Sequence, residues 1–167
     1  ALDKASPVHG IVLAGIGTDA AALQPFLHPY LLDRVMGSVR LNAKSVSPAE
    51  VLAADGYVFA MPEHLASMAG PMKDFFDRIY YLCLDRVNGR PWALLVCAGS
   101  DGAGTVRQAE RIATGLRLKR VAEPVLVITN AQSPEAILAP KTIGEADLAK
   151  CSAVGSLLAA GLAAGVF

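Results

Sequence analysis

The chain has 167 residues and a formal net charge of zero, with 15 basic and 15 acidic side chains. That length argues for one domain, residues 1–167, with one sizeable core. Hydrophobic residues make up 53% and charged ones 18%, which suits a parallel sheet buried on both faces, and the lack of a basic stripe argues against a nucleic-acid partner.

In chain order, Ile11-Val12-Leu13-Ala14 reads as a first buried strand and Gly15 to Asp19 as a loop. Leu23, Phe26, Leu27, Tyr30 and Leu31 then recur at helical spacing. Pro25 and Pro29 disturb that helix, so it starts near Pro25 or kinks at Pro29. A weakly marked second strand runs from Ser38 to Leu41. Ser47-Pro48-Ala49-Glu50 is a capping box with proline at the first helical position, opening a short helix that ends at Asp55-Gly56.

Tyr57 to Met61 is a third strand, which Pro62 is expected to stop because it has no N–H to donate. A polar loop, Glu63 to Ser67, leads into a helix with Met72, Phe75, Phe76, Ile79, Leu82 and Cys83 on its apolar side. Asn88-Gly89 marks a turn before a fourth strand, Trp92 to Ala98. A loop with three glycines comes next, then a helix with Val106, Ala109, Ile112, Ala113 and Leu116 on one stripe and Arg107, Glu110 and Arg111 toward water. Arg117-Leu118-Lys119-Arg120 reads as cations at that helix's C-terminus. The fifth strand is Val125 to Thr129, succeeded by a polar loop to about Gly144. A last helix carries Leu148, Cys151, Val154, Leu158 and Leu162. Alternating strands and helices predict an α/β doubly wound sheet of five parallel strands.

The stretch YVFAMPEHLASMAGPMKDFFDR resembles the flavodoxin-like superfamily, in particular its NAD(P)H-dependent FMN reductase and quinone reductase branch. The residues that carry the resemblance are Pro62, Glu63, Ser67, Met68, Gly70, Met72, Lys73, Phe75 and Asp77, and it continues through Gly99 to Gly104. It covers residues 47–130 well and the first 45 poorly. The resemblance implies a flavodoxin-like strand order 2-1-3-4-5, with a noncovalent FMN site where the loops after strands one, three and four converge.

The resemblance implies three groups of cofactor-binding residues. Gly15, Gly17 and Thr18 would form the phosphate loop, whose backbone N–H groups and hydroxyls suit an anion. Thr18 is the only hydroxyl there and Asp19 adds a negative charge, so the alternative is an ordinary strand-to-helix turn. Met61, Pro62, Glu63, His64, Leu65, Ser67 and Met68 would form the loop at the flavin edge. His64 stands where the reductases often have tyrosine; it either contacts the flavin or is a surface residue. Glu63 caps the following helix or faces solvent, and Lys73 and Asp77 pair at i and i+4. Gly99, Ser100, Asp101, Gly102 and Gly104 would let backbone approach a flat ring, or would simply connect strand and helix.

The family transfers electrons through the flavin, so no catalytic acid or base is named. The resemblance implies NAD(P)H-dependent reduction of a small acceptor such as a quinone, or electron transfer between partners. The rival expectation is a flavodoxin-like interaction module that has lost FMN. A homodimer or homotetramer is expected, through the last helix or the helix with Phe75, Tyr80 and Tyr81 unless both are core.

Other readings of the motifs are weaker. Gly15-Ile16-Gly17-Thr18-Asp19-Ala20 fits the dinucleotide fingerprint, but Arg40 and Asn42 stand where the ribose-binding acid belongs, which leaves only an NADP variant of that fold. Ala98-Gly99-Ser100-Asp101-Gly102 nearly fits a nucleophile elbow, yet His9, His28 and His64 all precede Ser100. A receiver domain needs acids that Ala14-Gly15 and Met61-Pro62 do not supply. Cys83, Cys97 and Cys151 lack metal or CxxC spacing and read as buried reduced thiols. The start, ALDKASPVHG, lacks signal-peptide shape, and the tail from Ala153 to Phe167 is too short and Gly-rich for a membrane span. A cytoplasmic protein without membrane contact is therefore expected.

Overall fold

The computed structural model describes residues 11–15 and 39–167; for 11–15 and 39–42 it describes the backbone alone. The first helix expected from sequence, with Pro25 and Pro29, and the candidate residues Gly17 and Thr18 lie outside the described residues.

Five parallel strand positions form one sheet. β1 (Ile11–Gly15) lies between β2 (Val39–Asn42) and β3 (Gly56–His64). β3 pairs in parallel with β5 (Pro91–Ala98). The far edge of β5 pairs with two short strands, β6 (Lys119–Arg120) and β7 (Val125–Ile128). The order is therefore 2-1-3-4-5 with its fifth position split, which is the flavodoxin-like arrangement.

The strands carry apolar side chains toward both faces, as strands covered on each side do. Tyr57, Phe59 and Met61 of β3, with Trp92, Leu94 and Val96 of β5, face the main core. There they meet α1 (Pro48–Ala53), α2 (Gly70–Cys83) and α3 (Ala103–Gly115). Phe59 is the hub: its ring centroid lies 5.1 Å from Phe76, 5.8 Å from Trp92 and 6.1 Å from Phe75. Val58, Leu95, Val125 and Val127 point the other way, onto α5 (Glu145–Ala163). A short exposed helix, α4 (Pro134–Leu138), interrupts the loop before α5.

Local chemistry explains the boundaries. Glu50 accepts from the Ser47 backbone N–H at 2.8 Å while the Glu50 N–H donates to the Ser47 hydroxyl, so the predicted capping box starts α1. The C-terminus of α1 is closed from afar: the Arg90 guanidinium donates to the carbonyls of Val51, Leu52 and Ala54 and to the Tyr57 hydroxyl. Lys73 and Asp77 pair at 2.6 Å as expected from their spacing.

Three sequence expectations change. Pro62 does not end its strand; β3 continues to His64, with Pro62 in register with Cys97. The basic run after α3 is not a helix terminus. The helix ends at Gly115, Arg117 turns through a left-handed conformation, and Lys119–Arg120 join the sheet edge. Arg120 pairs with Glu110 and Glu123 instead of serving the dipole. α5 begins at Glu145 and runs 19 residues, long and apolar enough by length and composition to cross a bilayer. It lays Cys151, Leu158 and Ala159 against the sheet and leaves most of its length unburied. Of the expected oligomer contacts on α2, Phe75 is core, whereas Tyr81 is 83% exposed.

Candidate functional site

The carboxyl ends of β1, β3 and β5 lie side by side, Gly15 opposite Ala60 and Met61 opposite Val96. β3 turns directly into a tight hairpin. β4 (Ser67–Met68) runs back antiparallel, pairing His64 with Ser67 and Glu63 with Met68, and the Ala69 N–H reaches the Pro62 carbonyl at 3.3 Å. Only Leu65 and Ala66 make the turn, with φ of 53° and 59°. Two left-handed residues in succession define a type I′ turn, which normally takes Asn and Gly. Here a leucine and an alanine hold it, and the Leu65 side chain is entirely exposed.

The hairpin is fastened to α3 at three points. The Glu63 carboxylate accepts from the Gly102 N–H at 3.1 Å and from the Thr105 hydroxyl at 3.2 Å. The Gln108 side-chain oxygen accepts from the Ser67 hydroxyl at 2.9 Å and the Met68 N–H at 3.1 Å. Between these, the Ala66 carbonyl lies so close to Gly104 that a Cβ there would sit 2.3 Å from its oxygen. Gly102, at φ 74°, opens α3 without a side-chain cap from its own loop, so Glu63 supplies the negative charge that a helix N-terminus favours.

The next loop, Gly99 to Gly102, is held on its outer side. Thr129 donates to the Ala98 carbonyl from its N–H at 2.9 Å and from its hydroxyl at 3.2 Å, and the Gln132 amide donates to the Gly99 carbonyl at 3.3 Å. His64, Ser100 and Asp101 are exposed, and no side-chain hydrogen bond engages them among the described residues. Their polar atoms are open to a ligand.

The predicted site residues thus separate into groups. Glu63, His64, Leu65, Ser67, Gly99, Ser100, Asp101, Gly102 and Gly104 are gathered at this end of the sheet, and Gly15 ends the neighbouring strand. The side chains of Met61 and Met68 turn into the core, which leaves only their backbone for contact. Glu63 caps α3, not the helix that comes next in sequence, and Gly104 makes room for the hairpin's own carbonyl. Thr105, Gln108, Thr129 and Gln132 escaped the sequence reading. Thr105 was detectable: it interrupts an otherwise apolar stripe, and a buried hydroxyl needs a partner.

Burial raises the thiol pKa of Cys97, near the end of β5, with a smaller opposing effect from Lys141. Burial likewise raises the thiol pKa of Cys83 and Cys151. None of the three is in an environment that favours a reactive thiolate. The described residues include no cluster of three metal-ligating side chains. The exposed polar side chains at the end of the sheet are those of His64, Ser100 and Asp101.

Residues 42–133 match the sequence model of a family described as NADPH-dependent FMN reductase, which is more than half of the chain. The chain belongs to that family. The matched span of this FMN reductase family member includes the hairpin, the Gly99–Gly104 loop and all of α3. Over 65 residues it is 35% identical to a probable NAD(P)H dehydrogenase (quinone) FQR1-like 2 of Arabidopsis thaliana, covering 38% of this chain and 24% of that protein. Among solved structures, it superposes on the Flv1 flavodiiron core of Synechocystis with a TM-score of 0.68 and 13% identity, covering 95% of this chain and 37% of that one. A flavodoxin, WrbA-like protein from Agrobacterium tumefaciens gives a TM-score of 0.64 at 11% identity, covering 92% and 97% of the two chains. At such identities the structural likeness establishes the fold.

Proposed function

We propose that the protein binds FMN noncovalently and uses NAD(P)H to reduce a small acceptor such as a quinone. The observation that carries this reading is the braced hairpin. Its backbone edge and the Gly99–Gly102 loop flank the carboxyl ends of β3 and β5, beside Gly15 of β1, in a chain of the FMN reductase family. Ligands of open α/β sheets sit outside these strand ends.

His64, Ser100 and Asp101 would meet the ring or its polar edge, and the backbone from Pro62 to Ser67 would line one side. Gly15, Gly17 and Thr18 would take the phosphate. Bound there, the flavin supplies hydride and single-electron chemistry. The chain's contribution is to fix the ring's orientation and present dipoles to it. Thr105 and Gln108 act one layer behind, holding the hairpin at its contact position.

The test is a flavin-fluorescence titration of folded protein with FMN, then NADPH and NADH oxidation with a quinone acceptor. Saturable binding and turnover support the reading. A folded protein that binds no FMN sinks it and leaves the interaction module.

A further inference from the structure

The geometry points to Glu63 as a positioning residue: its carboxylate seats the β3–β4 hairpin on the first turn of α3 and so fixes the surface the hairpin offers to a flavin. The functional half rests on the FMN reading above. The structural half needs no cofactor.

The hairpin has little to hold it by itself. β4 is two residues long, and its turn forces two non-glycine residues into a left-handed conformation that their Cβ atoms disfavour. Such a geometry persists only where its surroundings over-determine it. Glu63 supplies the deepest of those constraints. One carboxylate oxygen takes the Gly102 N–H, a group the loop leaves uncapped, and the other takes the hydroxyl of Thr105, which is 0% exposed. Removing the carboxylate leaves both donors without their partner, in a region from which water is largely excluded. Because the carboxylate already fills this helix N-terminus, a ligand phosphate has no place there, and the hairpin's distance from α3 is set by the protein alone.

Two substitutions separate seating from charge. Glu63→Gln keeps an acceptor for Gly102 and places a donor on Thr105, whose hydroxyl oxygen accepts in turn. Glu63→Ala removes both bonds. Native-state hydrogen exchange on the full chain, without cofactor, reads the Met68 and Ala69 amides against interior amides of β5. We expect Glu63→Ala to speed hairpin exchange roughly tenfold or more, with β5 unchanged, and Glu63→Gln to stay near the wild type. FMN dissociation constants should rank in the same order. If Glu63→Ala fails to fold, Thr105→Val, which removes one bond and keeps the side-chain shape, should still speed hairpin exchange roughly threefold. Wild-type protection in Glu63→Ala, or in Thr105→Val where that variant stands in, overturns the seating. Exchange in Glu63→Gln as fast as in Glu63→Ala assigns the effect to charge and also overturns it. A wild-type protein that binds no FMN ends the flavin reading, while the exchange comparison still decides the seating.

Discussion

Gly104→Ala sets two known effects against each other. Within a helix, alanine is favoured over glycine by about 1 kcal/mol. At Gly104 the new methyl would lie 2.3 Å from the Ala66 carbonyl oxygen and 3.2 Å from its carbon. An ordinary contact lies beyond 3.4 Å, so the hairpin would have to move by about an ångström against the Glu63 and Gln108 anchors. Overpacking of this kind costs about 1–3 kcal/mol, so a net destabilisation of up to about 2 kcal/mol remains. Urea unfolding at a fixed pH measures the net effect. If Gly104→Ala gained the stability of an unhindered helical alanine, with hairpin amides still protected, the close approach of Ala66 to α3 would be wrong.

Arg90→Met strips α1 of its guanidinium cap and leaves the carbonyls of Val51, Leu52 and Ala54 short of donors; urea unfolding should show a loss of about 2–4 kcal/mol. Leu65→Asn relieves a left-handed leucine whose side chain touches nothing, so thermal unfolding should show a gain of about 1 kcal/mol; a loss would mean that Leu65 has a contact in solution. Tyr57 gives the alkaline prediction. Burial, opposed in part by Arg90, raises its hydroxyl from 10.0 to about 12, so the folded chain keeps a proton that the unfolded chain releases. Stability from this source is complete below pH 10 and is lost as pH rises toward about 12, a fall of about 2–3 kcal/mol. Tyr57→Phe should lack that alkaline fall in a series of unfolding curves, and an equally steep fall in the variant would remove Tyr57 as its cause.

The sheet was legible because its strands are short apolar runs bounded by Gly, Pro and Asn, and their two-residue alternation sorts Phe59 from Val58 without any tertiary information. The capping box at Ser47 and the Lys73–Asp77 pair were legible because both are local. The hairpin was not, for two physical reasons. Pro62 lacks a donor but keeps its carbonyl, and β4 uses that carbonyl. The turn is Leu-Ala, without the Asn or Gly that normally mark left-handed positions. Glu63's partners stand 39 and 42 residues away, and only the fold brings them together. Arg117–Arg120 misled because charge pattern alone does not distinguish a helix end from an edge strand. The phosphate-loop candidates Gly17 and Thr18 lie outside the described residues.

The split outermost strand also affects how molecules meet one another. β6 pairs with Pro91 and Trp92, the Val121 N–H still reaches the Trp92 carbonyl, β7 pairs with Leu95 to Ala98, and between them Ala122 to Pro124 leave the ladder. A neighbouring chain seeking to extend the sheet from this side would find two residues, a gap with a proline, then four more. The first piece is also short and carries charged side chains, Lys119 and an Arg120 already paired with Glu110 and Glu123, features that blunt a sheet edge. The interruption therefore protects against runaway strand addition at the border of an apolar, otherwise inviting sheet.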